Sequence, residues 1–436
     1  MIALLAALAA CDGTQQPAPP AGLVVISIDT LRADQASAFG GPAGRMPNLD
    51  ALAEDAVVFS HAYAAANETL FSHGALFTGR LASHVAPIDY DFTIPDAQPT
   101  LASAAQAAGW RTGAAVASGH LARVFGLDVG FDDYLESRFW GSFAETVPLA
   151  GRWLDRHLLD EQPAPFLLFV HSYDCHGPYT KPGPLGRLAS PGYQGPMLSV
   201  LKDHLLTERL YRDRFLPGVA LSRIQNQNQQ QILTPDVYES LRERYAEGAG
   251  TPLTPDDIGF LTGLYETAAR YADMQLGILL EDLDQRGILE TATVVVLSDH
   301  GEGLMDHDYF SHRATLRDAE VHVPLLIRPP GGISGGRTVE RAVSLVDVAP
   351  TLLSMAGLAV PASMEGEDLS SCALGQACPS PGYAISEAAL DIVSITDGQR
   401  RLLITDGEES LFDASDAPVD DPEAAARLRA VLEERR

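Results

Sequence analysis

The chain has 436 residues, and 46% of them are hydrophobic, so it can bury a large core and is not disordered as a whole. Its 30 basic and 58 acidic side chains give a formal net charge of −28. A negative field of this size repels nucleic acid and anionic lipid, which makes both poor candidate partners. An anionic substrate would need local positive charge, such as a metal ion or a group of histidines.

The first 21 residues are predicted to direct export and to tether the protein, not to join its fold. Residues 2–10 are all apolar but too few to span a bilayer as a mature helix. The sequence LAAC at residues 8–11 fits a bacterial lipoprotein cleavage site, and a Pro-rich stretch follows. We therefore expect a periplasmic or cell-envelope lipoprotein that reaches the membrane only through a lipid on Cys11. No Lys or Arg precedes the apolar run, so the alternatives are a start further upstream and an apolar tail without a targeting role.

Short apolar runs alternate with segments of helical periodicity along most of the remaining chain. Continuous apolar runs fit strands buried on both faces, and they predict strands at residues 23–28, 112–117, 166–170, 293–297 and 324–327. Helices are predicted at residues 48–56, 101–108, 144–158 and 257–285. This alternation indicates an α/β fold, a three-layer α/β/α sandwich with a mostly parallel central sheet.

Two regions depart from the alternating pattern. Residues 184–254 are predicted to be an insertion over the sheet, either a lid or a solvated excursion without function. Two strand-like runs around Asp397-Gly398 and a charged final helix at residues 422–433 predict a small C-terminal α+β subdomain. The predicted organisation is a signal and tether at 1–21, a main domain at 22–380 and the subdomain at 381–436.

Three of the predicted strands end in side chains that bind metals or transfer protons. These side chains are Asp29, His171, Asp174, His176, Asp299 and His300. Ligands of open α/β sheets bind at the carboxyl ends of the strands, so we expect a single site there. One Asp after a strand is more often a turn residue or a helix cap, and the inference therefore depends on the combination. Carboxylate and imidazole together favour Zn²⁺ or Mn²⁺.

Thr69 opens another helix-compatible stretch and is a candidate nucleophile. A hydroxyl at the N-terminus of a helix lies in a positive field lined with free N–H groups, which suits attack on an anionic ester. On local sequence alone, however, such a threonine is more often a helix cap. Both interpretations of Thr69 stay open at the level of local sequence.

Two cysteines, Cys372 and Cys378, lie close together in a loop-like stretch. In an oxidising compartment they are predicted to form a small disulfide loop, and in the cytosol they would be two ordinary thiols. No further Cys or His accompanies them, which argues against a zinc site. Cys175 is not expected to be a nucleophile, because no feature of the sequence favours its thiolate.

Taken together, these segments resemble the sulfatase branch of the alkaline phosphatase superfamily. The resembling motifs are VVISIDTLRAD at 24–34, PNLDAL at 47–52, TLFSHGALFTGR at 69–80, DCHGPY at 174–179, SDHGEG at 298–303, VPLLIR at 323–328 and SLVDVAPTLL at 344–353. Residues 397–432 resemble the C-terminal hairpin and helix of that family. The resemblance covers nearly the whole chain after the tether and implies an alkaline phosphatase-like fold that acts on a small anionic ester.

The resemblance also implies roles for individual residues. It implies one divalent metal ion, bound by four residues: Asp29, Thr69, Asp299 and His300. It places the catalytic His176 near the leaving group and His312 in contact with the anion. His73 lies where true sulfatases carry an arginine beside the nucleophile, so both a catalytic and a substrate-binding role are expected for it.

Three positions depart from the pattern of true sulfatases. Thr69 stands where those enzymes carry a Cys or Ser that is oxidised to formylglycine, and Thr30 replaces the second Asp of a pair of ligands. A motif that carries a lysine in the family reads SGH at residues 118–120. Fewer carboxylates favour Zn²⁺ or Mn²⁺ over Ca²⁺, which stays possible. The pattern resembles the threonine-using phosphoethanolamine and phosphoglycerol transferases.

The threonine decides which ester the sequence favours. Formylglycine sulfatases release sulfate through their hydrated aldehyde, an exit that a threonyl sulfate lacks, whereas a threonyl phosphate can be hydrolysed. The sequence thus predicts a metal-dependent hydrolase that cleaves a phosphate or sulfate ester through a covalent threonyl intermediate, with phosphate preferred. The alternatives are a sulfuric ester hydrolase in the strict sense, a phosphoryl-group transferase and a non-catalytic binding protein with this fold.

Overall fold

A computed structural model describes residues 21–89, 91–159, 163–177, 179, 191–195, 253–306, 310–313, 315–378, 381–389 and 392–436. The predicted lipid attachment at Cys11 and most of the predicted insertion at 184–254 lie outside these residues. Across the described ranges, no helix combines the length and the apolar character that a membrane span requires.

A central sheet organises the described part of the chain. Its strands are β1 (Gly22–Ile28), β2 (Val57–Tyr63), β3 (Arg111–Ser118), β4 (Asp133–Phe139), β5 (Phe166–Ser172), β6 (Ala292–Leu297), β9 (Leu325–Arg328) and β10 (Arg337–Ser344). Two short strands of two residues each, β7 (Gly303–Leu304) and β8 (Phe310–Ser311), form a separate antiparallel pair. The strand order in the sheet is β10-β2-β9-β6-β1-β5-β3-β4. All neighbouring pairs are parallel except those of β9, which runs antiparallel to β2 and β6. The predicted mostly parallel sheet is therefore confirmed.

Helices cover both faces of this sheet. The longer ones are α1 (Pro47–Ala53), α2 (Thr69–Thr78), α3 (Leu101–Ala107), α4 (Phe143–Leu158), α5 (Pro255–Gln285) and α6 (Val348–Met355). One-turn helices lie at Ala82–Val85, Ile288–Thr291, Asp318–Val321 and Ser370–Ala373. The start of α5 is well defined, because Thr254 and Asp257 form a capping box around Pro255.

The apolar side chains of β1 pack into two separate cores, one on each face of the central sheet. Leu23 and Val25 pack into a core with α2, α3 and α6, whereas Val24 and Ile26 pack into a second core with α1, α4 and α5. Because successive side chains of a strand point to opposite faces, a run that is apolar throughout must be covered on both sides. The predicted three-layer sandwich is confirmed by these two cores.

A small antiparallel sheet follows the main body. It consists of β11 (Ala384–Ala388), β12 (Ile392–Thr396), β13 (Arg400–Thr405) and β14 (Glu408–Asp413), in that order, and the last helix is α7 (Pro422–Arg435). Leu428 and Leu432 of α7 pack on Ile395 and Leu402 of the sheet. The predicted hairpin joins β12 to β13, where Gly398 has a φ of +86°. The C-terminal sheet is thus confirmed, while the residue boundaries of the predicted domains stay predictions.

The two neighbouring cysteines are joined in the structure. Cys372 and Cys378 form a disulfide with their Cα atoms 4.7 Å apart. Cys175 is buried and takes no part in a disulfide.

Candidate active site

Three of the predicted metal ligands meet at the carboxyl ends of β1 and β6. Asp29 follows β1, and Asp299 and His300 follow the neighbouring β6. All three side chains are buried, and one ligand atom from each lies within 4.8 Å of the others. This group could hold a metal ion. His171 at the end of β5 lies beside it, with Nε2 3.5 Å from Asp29 Oδ2.

The hydroxyl of Thr69 points into this group. Thr69 is the first residue of α2, and its Oγ1 donates a hydrogen bond of 3.0 Å to Asp29 Oδ2. The same oxygen lies 3.3 Å from His300 Nε2. Glu68, not Thr69, occupies the N-cap position. The Thr69 hydroxyl therefore does not cap α2, and it contacts two of the predicted metal ligands.

His73 lies one helical turn after Thr69 and is fully buried. Its Nδ1 is 2.9 Å from the carbonyl oxygen of Thr69, and its Nε2 is 3.0 Å from Ser27 Oγ. Burial lowers the pKa of His73 to about 4, although Asp299 acts in the opposite direction. Both ring nitrogens are engaged with protein, so a direct contact with an anion would require one of these bonds to break.

Thr30 does not contribute a carboxylate, and its side chain turns back on the chain. Its φ is +58°, and its Oγ1 donates to the carbonyl oxygen of Asp29 at 2.7 Å. Its backbone N–H donates to Asp299 Oδ1 at 3.2 Å. Thr30 thus orients Oδ1 of Asp299 through its backbone N–H, and this hydrogen bond does not involve Oδ2.

The second oxygen of Asp299 is what makes the group suited to a cation. Asp299 Oδ2 is buried and accepts no hydrogen bond from any residue that the structure describes. Burial and the neighbouring Asp29 raise the pKa of Asp299. Two neighbouring buried carboxylates are costly unless a positive charge compensates them. The donor set of two carboxylates and one imidazole fits a divalent metal ion.

His312 and His176 lie together on one side of His300. The ring centroid of His312 is 4.6 Å from that of His300 and 5.3 Å from that of His176. Nδ1 of His312 is 3.3 Å from Glu302 Oε1. Burial lowers the pKa of His312 well below its usual value, and the other two histidines act in the same direction. The structure therefore brings together all seven residues that the sequence predicts for the site.

Other residues join the site without a signal in the sequence. Ser27 contacts His73 from β1, and Trp140 stacks on His176. The polar residues at the end of β5 make two different contacts. His171 lies beside Asp29, whereas Asp174 Oδ2 accepts a hydrogen bond from Phe143 N at the start of α4. Only the packing of the folded chain reveals these contacts.

A model of the sulfatase family matches residues 22–358, which is most of the chain. The chain belongs to the sulfatase family. Solved structures with the same fold include a phosphonate monoester hydrolase of Agrobacterium radiobacter, with a TM-score of 0.70, 21% sequence identity, and coverage of 95% of this chain and 94% of that one. A 2-O GAG sulfatase gives a TM-score of 0.69 at 18% identity and covers 96% of this chain and 92% of that one.

Two curated relatives are similar in sequence. The ulvan-active sulfatase of Formosa agariphila is 25% identical over 384 residues, which are 81% of this chain and 65% of that protein. Arylsulfatase K of Xenopus laevis is 35% identical over 134 residues, which are 31% of this chain and 24% of that protein. The chain thus spans less than two thirds of the length of these curated relatives.

Proposed function

We propose that this sulfatase-family protein is a metal-dependent hydrolase that cleaves a small anionic ester with Thr69 as its nucleophile. The observation that carries the proposal is the position of Thr69 Oγ1, 3.0 Å from Asp29 Oδ2 and 3.3 Å from His300 Nε2 at the start of α2. A hydroxyl placed beside candidate metal ligands, at a positive helix end, is arranged to attack an anion.

Asp29, Asp299 and His300, together with Thr69, would hold the metal ion. A divalent cation bound there would neutralise charge on the ester oxygens and favour the ionised form of the Thr69 hydroxyl. A nitrogen ligand and only two carboxylates favour Zn²⁺ or Mn²⁺, because Ca²⁺ prefers six to eight oxygen ligands. Thr30, whose hydroxyl is bonded to the backbone, supports this preference.

In the first step, Thr69 Oγ1 forms a bond to the central atom of the ester, and the bond from that atom to the leaving oxygen breaks. The hydroxyl proton passes to Asp29 Oδ2, which already accepts its hydrogen bond. His176 donates a proton to the leaving oxygen, and His312 contacts the anion from the same side. The product of this step is a threonyl ester.

In the second step, water attacks the threonyl ester and releases the anion. His176, which lost its proton in the first step, now accepts one from the attacking water. The bond to Oγ1 breaks, and Oγ1 takes back the proton that Asp29 Oδ2 accepted in the first step, which restores the Thr69 hydroxyl. His73 supports both steps by holding the backbone of Thr69, to whose carbonyl its Nδ1 is bound at 2.9 Å.

We favour a phosphate ester over a sulfate ester as the substrate. Water can cleave a threonyl phosphate, whereas a threonyl sulfate lacks the aldehyde route by which formylglycine enzymes release sulfate. The names of similar proteins include both sulfatases and phosphonate monoester hydrolases, so shared fold does not separate the two. Sulfate-ester hydrolysis is the second candidate, and the sequence similarity to two proteins named as sulfatases favours it.

Export to the cell envelope with a lipid on Cys11 is part of the proposal. The LAAC sequence at residues 8–11 and the disulfide between Cys372 and Cys378 support it, because disulfides persist in oxidising compartments. Detergent-dependent release of the protein from membranes, lost in a Cys11→Ala variant, is the expected result. Release without detergent from wild-type cells would contradict lipid anchoring.

The proposal is tested by turnover of p-nitrophenyl phosphate, bis-p-nitrophenyl phosphate and p-nitrophenyl sulfate, with metal analysis of the same preparation. We expect bound Zn or Mn and faster turnover of a phosphate ester. Faster turnover of the sulfate would support the second candidate. Absence of both metal and turnover would instead support a non-catalytic binding protein.

A further inference from the structure

The indole ring of Trp140 is stacked on the imidazole ring of His176. Their ring centroids are 4.5 Å apart, and the planes meet at 25°. We propose that Trp140 is a positioning residue that holds His176 in the orientation from which it protonates the leaving oxygen. This inference rests on the proposed function, in which His176 is the acid of the first step.

The backbone at Trp140 is in an unfavourable conformation. Trp140 follows β4 with a φ of +54°, in the left-handed region that large side chains rarely adopt. The next residue is Gly141, where a Cβ would lie 2.3 Å from Ser137 Oγ. Residues held in such conformations cluster at functional sites, where the surrounding structure maintains them.

The turn at Trp140 is tied directly to the segment that carries His176. The carbonyl oxygen of Gly141 accepts a hydrogen bond of 3.1 Å from Tyr173 N, and the carbonyl of Tyr173 accepts one of 3.2 Å from His176 N. The rings of Trp140 and Tyr173 also meet edge to face, with centroids 4.6 Å apart at 77°. Trp140 and His176 are thus held by one short chain of backbone and ring contacts.

The imidazole of His176 is fixed on several sides. Its Nδ1 lies 2.8 Å from the carbonyl oxygen of Gly177, to which it donates, so Nε2 is the nitrogen that exchanges a proton. Tyr173 and His312 meet the ring at steep angles of 88° and 70°, with centroids 5.4 and 5.3 Å away. Trp140 covers one face of the ring. An indole face also attracts the protonated imidazole that an acid requires.

The consequence of losing this stacking depends on the leaving group. When the bond to the leaving oxygen breaks, its electron pair stays on that oxygen, and the proton of His176 Nε2 neutralises it. A p-nitrophenolate ion is weakly basic and departs with little need of a proton, whereas a phenolate ion is more basic and needs one. When Trp140 no longer holds His176, hydrolysis of phenyl esters should therefore slow far more than hydrolysis of p-nitrophenyl esters.

The experiment compares kcat/KM for the p-nitrophenyl and phenyl esters of whichever anion the wild type cleaves. The variants are Trp140→Leu, Trp140→Phe and His176→Ala. We expect His176→Ala to lose about 10²–10⁴-fold on the phenyl ester and much less on the p-nitrophenyl ester. Trp140→Leu should lose at least about tenfold more on the phenyl ester than on the other. Trp140→Phe, which keeps a stacking ring, should recover most of that difference.

The ratio of the two substrates on one preparation cancels any loss of folded enzyme in a variant. Equal losses on both esters in Trp140→Leu, with His176→Ala still selective, would overturn the inference and leave the proposed function in place. A Trp140→Phe variant as selective as Trp140→Leu would overturn the stacking argument. Equal losses in His176→Ala would overturn the acid role of His176 and the inference with it.

Discussion

Thr69 Oγ1 and Asp29 Oδ2 lie 3.0 Å apart although 40 positions of sequence separate them. The contact exists because α2 begins beside the carboxyl end of the central strand β1. A threonine at the start of a helix ordinarily satisfies the helix backbone, but this one faces a buried carboxylate and a histidine.

Replacing Thr69 by Ala should lower kcat/KM by about 10³-fold or more, because the nucleophile is lost. Thr69→Ser keeps a hydroxyl and should keep part of the activity. Thr78→Ala is the matched control, since Thr78 is a buried threonine of the same helix whose hydroxyl donates to the carbonyl oxygen of Gly74. Near-wild-type turnover by Thr69→Ala would remove Thr69 from the mechanism.

Much of the fold could be predicted from the sequence, because β1, β5 and β6 are buried on both faces and read as continuous apolar runs. Strands β2, β4 and β10 are absent from the prediction. Their polar or exposed residues, such as Ser60 in β2 and Glu136 in β4, interrupt the run that marks a buried strand. The reversed direction of β9 is likewise not encoded in its apolar pattern, which is the same for parallel and antiparallel neighbours.

Only part of the candidate site could be predicted from the sequence. Asp29, Asp299 and His300 could be predicted because polar residues at the ends of adjacent parallel strands must lie near one another. Ser27 and Trp140 could not, because Ser27 lies inside β1 and Trp140 follows β4, a strand that is absent from the prediction. The expected contact of His73 with the anion stays a prediction, and in the structure its ring nitrogens lie within hydrogen-bond distance of Thr69 and Ser27.

Asp299→Asn should lose the metal ion, because it removes a charged ligand from a group of three buried ones. A chelator should lower the melting temperature of the wild type, since a ligand present at 100 times its Kd stabilises the folded state by about 2.7 kcal/mol. The chelator should not change the melting temperature of Asp299→Asn. Asp273→Asn is the control, since Asp273 is also fully buried but bonds to Asn48 and Leu49 in α1. Full metal content in Asp299→Asn would contradict the assignment.

Asp347 should make stability fall as pH rises. Burial raises the pKa of its carboxyl group to about 6, from 3.8 in an unfolded chain. Its contribution to stability is therefore fully present below about pH 4 and is lost as pH rises through 6, a difference of about 3 kcal/mol. Urea unfolding at pH 4.5 and pH 7 should show a smaller loss for Asp347→Asn than for wild type. Equal losses would contradict the shifted pKa.

The disulfide between Cys372 and Cys378 closes a short loop and should stabilise the protein by about 2 kcal/mol. A Cys372→Ala/Cys378→Ala variant should unfold at lower denaturant concentration while its kcat stays unchanged. Wild type under reducing conditions is the control, because it loses the bond and keeps both side chains. A reduced wild type as stable as the oxidised form would show that the bond contributes nothing.

The most direct measurement of the central claim is the mass of the peptide that contains Thr69, from enzyme quenched in acid during turnover. We expect an added phosphoryl group, or a sulfuryl group with a sulfate ester, on Thr69 and on no residue of the Thr69→Ala variant. An unmodified Thr69 peptide in an enzyme that turns over its substrate, together with full activity of the Thr69→Ala variant, would contradict it.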